Sequence, residues 1–308
     1  MLRYFLFKNK VLNVPDEPAD PRDWELGADL LAKSESTGLE EFSRRYSTLE
    51  VKNQGSIGSC VGHSGRVVYG DTLEFSGKEP SPMWIYKKGK KHDLFPGEGY
   101  SGTTIRGAST ALLKLGCCEE KYWPDLKSED APMLEGAEEN AADYKINAYY
   151  IINSSNHYMI KKALTHEPLW TSFKVHKKFY YTGSDGIVKS EGYLESEFRG
   201  GHAVAMIGWK TIDGKLYWEF QNSWGTYFGD EGHFFMEASL YEKVLINSVG
   251  PYYLAVKSEK GNGKFLNPEE ERKKKEIHEK KKKDKKKNKL MLIIGGAVFL
   301  GFAAFALL

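Results

Sequence analysis

Lys52-Asn53-Gln54-Gly55-Ser56-Ile57-Gly58-Ser59-Cys60 sets an amide side chain six residues ahead of a cysteine, across a loop whose two glycines permit tight or positive-φ turns. Downstream, Val67, Val68 and Asp71 fall at helical spacing with Cys60 and Ser64, which predicts a helix opening at the cysteine. A thiol in a first helical turn meets unpaired backbone N–H groups and the positive end of the helix dipole, and both favour the thiolate. The stretch reads as a loop-to-helix junction that carries a nucleophile.

A cysteine nucleophile needs a base, a group that orients the base, and donors for an oxyanion. His202 follows Gly200-Gly201 at the start of the strand-like run His202 to Trp209, and Asn222 closes the next strand-like run, Leu216 to Gln221. Asp213-Gly214 between them is a hairpin turn signal, so pairing of the two runs brings His202 and Asn222 to one edge. There an asparagine can accept the imidazole N–H and fix its tautomer without carrying charge. Other histidines read as packing: His63 shares the helical face of Cys60, and His233 begins a further apolar run.

Upstream of the cysteine, Pro15, Pro18 and Pro21 punctuate the chain, and a charged, weakly helical stretch follows from about Leu26 to Arg45. Beyond it, Pro80-Ser81-Pro82 introduces an aromatic segment. Thr103 or Thr104 caps a helix with Ile105, Ala108, Leu112 and Leu115 on one face, and Gly116 ends it. After about Tyr149 strand-like runs dominate, at Tyr149 to Ile152 and Leu169 to Val175, with a short helix near Tyr158 to Leu164 between them. Helices first and strands later predict an α+β chain with two lobes.

With 41% apolar and 28% charged residues over 308 positions, the chain can bury a large core and is not a disordered protein. Three cysteines, two of them adjacent (Cys117 and Cys118), exclude a disulfide framework and lack the spacing of a zinc site. Reduced thiols are expected, with no metal or cofactor and no nucleic-acid partner. From Gly261 onward 13 basic and 6 acidic residues leave the tail positive and the first 260 residues near −5. Residues 260–289 form a lysine- and glutamate-rich linker, and 290–308 contain no charged side chain. At about 1.5 Å per residue this last run reaches roughly 28 Å, which predicts one membrane-spanning helix. On that expectation residues 290–308 meet lipid, the lysine run can hold anionic lipid, and the rest of the chain faces the cytosol.

Taken together, Asn53 to Cys60, Gly201-His202-Ala203-Val204, and Asn222-Ser223-Trp224-Gly225 with Gly229-Asp230-Glu231-Gly232 resemble the signature blocks of papain-like cysteine peptidases. Ile105 to Ala108 and Lys121 to Pro124 resemble that family's cleft-wall helix and following loop, especially in its propeptide-poor microbial branch. The resemblance covers Asp23 to Val256. It implies a helical lobe and a β-barrel-like lobe with a cleft between them, within a peptidase domain at 1–259, and a protein or peptide substrate. It further implies Cys60 as nucleophile, His202 as base and later acid, Asn222 as orienter, Gln54 with the Cys60 N–H as oxyanion hole, and Trp224 as a shield over the His–Asn bond. Ile57 stands where the family usually has a cysteine, and Val61 where an aromatic usually follows the nucleophile; no long inhibitory propeptide is expected ahead of Asp23-Trp24. Two alternatives share these residues: a catalytically silent binding protein, and a thiol acyltransferase or amidase acting on a non-protein substrate.

Overall fold

A computed structural model describes residues 6–16, 18, 20, 23–27, 38–72, 78–94, 100–246, 250–255, 273–274, 276–285 and 287. The chain divides into two units, Met1–Leu266 and Asn267–Leu308. In the first, β1 (Glu41–Ser43) precedes four helices, α1 (Cys60–Thr72), α2 (Pro82–Lys90), α3 (Ile105–Leu115) and α4 (Ala137–Ala142). Then come β2 (Ala148–Ile151), α5 (His157–Leu164), β3 (Leu169–His176), β4 (Phe198–Ile212), β5 (Lys215–Gln221), β6 (His233–Glu237), α6 (Ala238–Val244) and β7 (Tyr252–Ala255). The expected weak helix from 26 to 45 is not what forms at its end: β1 occupies 41–43, held by pairing with β4. Residues 28–37 of that expectation lie outside the described residues.

Local chemistry sets the helix ends. Ser81 Oγ accepts the Trp84 N–H at 3.0 Å with Pro82 in the first turn of α2, where its missing N–H is no loss. Thr104, rather than Thr103, caps α3 by accepting the Gly107 N–H at 3.0 Å, and Gly116 at φ 76° stops it. Ile105, Ala108 and Leu112 are buried as the helical period requires, while Leu115 in the last turn is exposed.

All strand pairs are antiparallel, in the order β2-β7-β3-β4-β5-β6, with β1 also on β4. Asp213 (φ 49°) and Gly214 (φ 73°) form the two-residue turn that pairs Ile212 with Lys215. The sheet does not close into the expected barrel, because both outer edges are already satisfied by irregular chain. On β2, Ile151 exchanges backbone bonds with Trp24 and Leu26; on β6, Phe235 does the same with Gly186 and Val188.

Side chains alternate across β4, and the two faces enter different cores. Ala203, Ala205 and Ile207 join Val61, Val68, Ile85 and Leu112 of the helices. Val204 and Met206 join Phe173, Phe220, Phe234 and Tyr241 on the other side. This gives the two-lobed α+β arrangement. At the seam, α1 approaches β3 so closely that a Cβ on Gly65 would sit 2.4 Å from the Trp170 ring, while Trp170 Nε1 donates to Ser64 Oγ at 2.8 Å.

The second unit shows helix at 276–285, exposed at every residue, which is the solvated state that a lysine-rich sequence favours. Among the described residues no helix is long and apolar enough to cross a membrane, and the expected span at 290–308 lies outside them. The tail anchor, the lipid contacts of 290–308 and of the lysine run, and the single-pass cytosol-facing placement are accordingly withdrawn.

Replacing Gly65 by Ala forces either α1 or Trp170 to shift, and is expected to destabilise the first unit by about 1–3 kcal/mol through overpacking. A urea midpoint unchanged from wild type would contradict the tight α1–β3 seam.

Candidate active site

The junction Gln54 to Cys60 is tied to the turn that follows β5. Gln54 N–H donates to Ser223 O at 2.8 Å, Gly225 N–H donates to Lys52 O at 3.2 Å, and Asn53 forms an antiparallel bridge with Trp224. Two sequence blocks about 170 residues apart thus pair as backbone. Gln54 is fully buried; its Nε2 donates to Ile57 O at 2.9 Å and its Oε1 accepts from Ser223 Oγ at 2.7 Å. One of the two Nε2 hydrogens serves Ile57, so a second remains on the amide.

Cys60 is the first residue of α1 and is fully buried. On β4, His202 Nε2 lies 2.7 Å from Asn222 Oδ1, and Nδ1 has no hydrogen-bond partner among the described residues. The Asn222 oxygen also accepts the Ser223 N–H at 2.8 Å, which fixes its amide and makes His202 Nε2 the donor. Trp224, itself buried, lies with its ring 5.0 Å from the imidazole and is packed by Tyr180, Phe179 and Phe228. The structure brings all five expected residues, Gln54, Cys60, His202, Asn222 and Trp224, to one place.

Burial governs the charges there. It pushes the Cys60 thiol up to about 11, although backbone N–H groups of Ala203, Val61 and Cys60 itself favour the thiolate. It also pulls His202 down to about 4, against the Asn222 bond that favours the imidazolium and with the nearby Lys10 charge adding to the depression. The helix-terminus argument alone predicts a thiolate. In the closed site desolvation outweighs it, so both groups rest neutral.

The site is closed by the chain's own residues 7–14, which carry no signal in the sequence as a cleft-filling segment. Phe7 stacks on Trp224 at 5.6 Å and meets Phe228 edge-on at 5.3 Å. Lys10 Nζ donates to Asn53 Oδ1 at 2.5 Å and to Gly55 O at 3.0 Å. Asn13 bridges Gly201 in parallel, and Val14 N–H donates to Gly201 O at 3.2 Å. From the helical side, Tyr100 OH donates to Asn13 O, and a Cβ on Gly102 would fall 2.1 Å from that oxygen. Glycine at 102 and 201 is what lets the segment lie between the walls; an added Cβ at Gly201 would meet Val14 O at 2.1 Å.

Residues 40–253 match the family described as papain family cysteine protease. The chain belongs to that family. A cathepsin B-like protein of Giardia intestinalis (CP2) is 30% identical over 198 residues, 61% of this chain and 63% of that protein. The cysteine proteinase RD21A of Arabidopsis thaliana is 24% identical over 243 residues, 76% of this chain and 49% of its own length. The chain therefore spans less than two thirds of either relative. Among solved structures, xylellain, a cysteine protease from Xylella fastidiosa, superimposes with a TM-score of 0.65 at 22% identity, covering 82% of this chain and 97% of that one, a likeness of fold. Matches in a plant, a protist and a bacterium single out no microbial branch, which corrects the narrower affinity expected from the loop and cleft-wall residues.

Two outcomes are expected of this papain-family site. Phe7→Ala or Lys10→Ala loosens the covering segment, and is expected to raise the alkylation rate of Cys60 by iodoacetamide roughly tenfold; a rate equal to wild type would show that residues 7–14 do not govern access. His202, held down to about 4, and His233, buried and held down to about 3, stay neutral where unfolded histidines gain protons, near 6.5. Stability is therefore full above about 6.5 and falls as pH drops toward 4, each histidine contributing up to about 1.4 kcal/mol per pH unit. Urea unfolding between pH 7.5 and 5 should show a shallower slope in His202→Gln than in wild type.

Proposed function

We propose that the chain is a cysteine peptidase that hydrolyses peptide bonds through an acyl-enzyme on Cys60. The observation that carries this reading is the His202 ring, bonded through Nε2 to Asn222, with no hydrogen-bond partner on Nδ1 among the described residues and the neighbouring Ala203 N–H on the Cys60 thiol. Cys60 Sγ attacks the carbonyl carbon as its proton passes to His202 Nδ1. The same proton then goes to the leaving amine nitrogen, and the C–N bond breaks. Water, deprotonated by His202, attacks the thioester and releases the acid with the thiol regenerated.

The Cys60 N–H and the second Gln54 Nε2 hydrogen serve the tetrahedral oxyanion, and Ser223 keeps Gln54 from turning away. Trp224 excludes water from the His202–Asn222 bond, which would weaken it. Entry of substrate displaces residues 7–14 and admits polar contacts, which lowers the cost of separating charge when the thiol proton passes to His202 during attack. We place this activity within residues 1–259 and read 260–289 as a charged linker.

The full chain assayed on a peptide library in reductant is expected to cleave, and Cys60→Ala to be inactive. His202→Ala should lose about 10³-fold in kcat/KM and Asn222→Ala about 10²-fold, with Asn222→Ala shifting the pH profile because the tautomer is released. Cleavage should persist in chelator and cease on thiol oxidation. Retained cleavage in Cys60→Ala would sink the reading, and aminolysis products in place of free acid would redirect it to acyl transfer.

A further inference from the structure

His63, which the sequence presents as a packing residue, instead holds a built contact one turn below the nucleophile. The ring is buried on α1. Its Nε2 lies 2.9 Å from Asp125 Oδ2, and both side chains are 2% exposed. On the other side, Nδ1 lies 3.2 Å from Ser59 Oγ and 3.0 Å from Ser59 O. With Nδ1 bare the Ser59 hydroxyl donates to it; with Nδ1 protonated it donates to the Ser59 carbonyl. In either state the ring grips Ser59, the residue that precedes Cys60.

The consequence runs through peptide planarity. Ser59 C=O and Cys60 N–H belong to one peptide unit, which is stiff and trans, so they point in opposite directions and turn together. Ser59 O accepts the His63 backbone N–H at 3.0 Å; the ring adds a second hold on the same residue, through the Ser59 hydroxyl when Nδ1 is bare and through Ser59 O when Nδ1 is protonated. Fixing that carbonyl fixes the direction of the Cys60 N–H.

Asp125 in turn fixes the ring. Bonds to His63 and Lys127 hold its carboxyl well below the usual carboxylate range despite burial, so it stays an acceptor. Lys127 bonds Asp125 and lays its stem against Gly55, 3.5 Å from where a Cβ would be, which ties the loop after Trp123 to the junction Gln54 to Cys60. The other carboxylate oxygen, Oδ1, is buried without a hydrogen-bond partner among the described residues. An apolar pair filling this volume would avoid that desolvation, so stability alone does not account for the placement.

We infer that His63, oriented by Asp125, is a positioning residue that aims the Cys60 N–H at the oxyanion through Ser59. This rests on the peptidase reading above. A misaimed donor weakens stabilisation of the oxyanion and leaves substrate binding and the thiol itself untouched.

The test compares wild type, His63→Phe and Asp125→Asn in the full chain by three readouts: peptide hydrolysis, affinity for a peptide aldehyde, and alkylation of Cys60 by iodoacetamide. An aldehyde adduct places an oxyanion in the hole, whereas alkylation needs only the thiol. His63→Phe is expected to lower kcat and aldehyde affinity by about tenfold to hundredfold, less than outright loss of a donor. KM and the alkylation rate should stay within about threefold. Asp125→Asn keeps the shape and a hydrogen bond, so a smaller loss in the same two readouts is expected; it carries the test if His63→Phe does not fold. Unchanged kcat and aldehyde affinity in folded variants would overturn the inference alone, as would an alkylation rate that falls in step with them. A wild-type chain that alkylates yet neither cleaves peptides nor binds the aldehyde would overturn this inference and the peptidase reading together.

Discussion

The position of β4 between two cores is the constraint from which the site follows. Its alternate residues face the helices on one side and the aromatic cluster on the other, so a slip by one residue would send Val204 and Met206 among the helices and Ala203 and Ala205 into the aromatic core. Neither core tolerates that exchange of volumes. Register is therefore fixed from both faces, and with it the position in β4 from which the His202 side chain projects. The two-residue turn at Asp213-Gly214 carries this precision into β5 and delivers Asn222 to His202.

The hairpin, the cysteine helix and a cap at Thr103 or Thr104 are legible because each has a local cause in the sequence: a turn dipeptide, a repeating apolar position, a side chain that can accept an N–H; which threonine caps is decided only in the structure. The five candidate residues stand in separate blocks of the sequence, and the hairpin argument joins two of them. What remained hidden lacks any period. β1 is three residues long and exists only because β4 has an edge to offer. Residues 7–14 spread the contacts of Phe7, Lys10, Asn13 and Val14 over four separate segments, around residues 53–55, 100, 201 and 224–228, a pattern no window of sequence displays. Barrel closure failed as an expectation for the same reason, since the coils that satisfy β2 and β6 have no strand pattern of their own. His63 was visible as a residue on the right face; its partner Asp125, 62 positions away, was not.

The electrostatics show how strongly the covered state shapes the reactive groups. Helix-end N–H groups and the Asn222 bond both pull toward the ion pair, yet burial overrides them and leaves the thiol and imidazole neutral. The distinction matters for reading reactivity from sequence. A loop-to-helix junction supplies the groups that favour a thiolate, but whether the thiolate forms depends on what lies over it.

The bond from Val14 N–H to Gly201 O gives this covering segment a thermodynamic meaning. Because residues 7–14 are joined to the domain they cover, they compete with any incoming chain at an effective concentration that dilution cannot change, typically of millimolar order for a short tether. The apparent dissociation constant of a ligand is its intrinsic value divided by the fraction of molecules with the segment withdrawn. Every ligand's apparent affinity falls by the same factor, so at a given concentration only ligands whose intrinsic affinity exceeds that penalty fill the site.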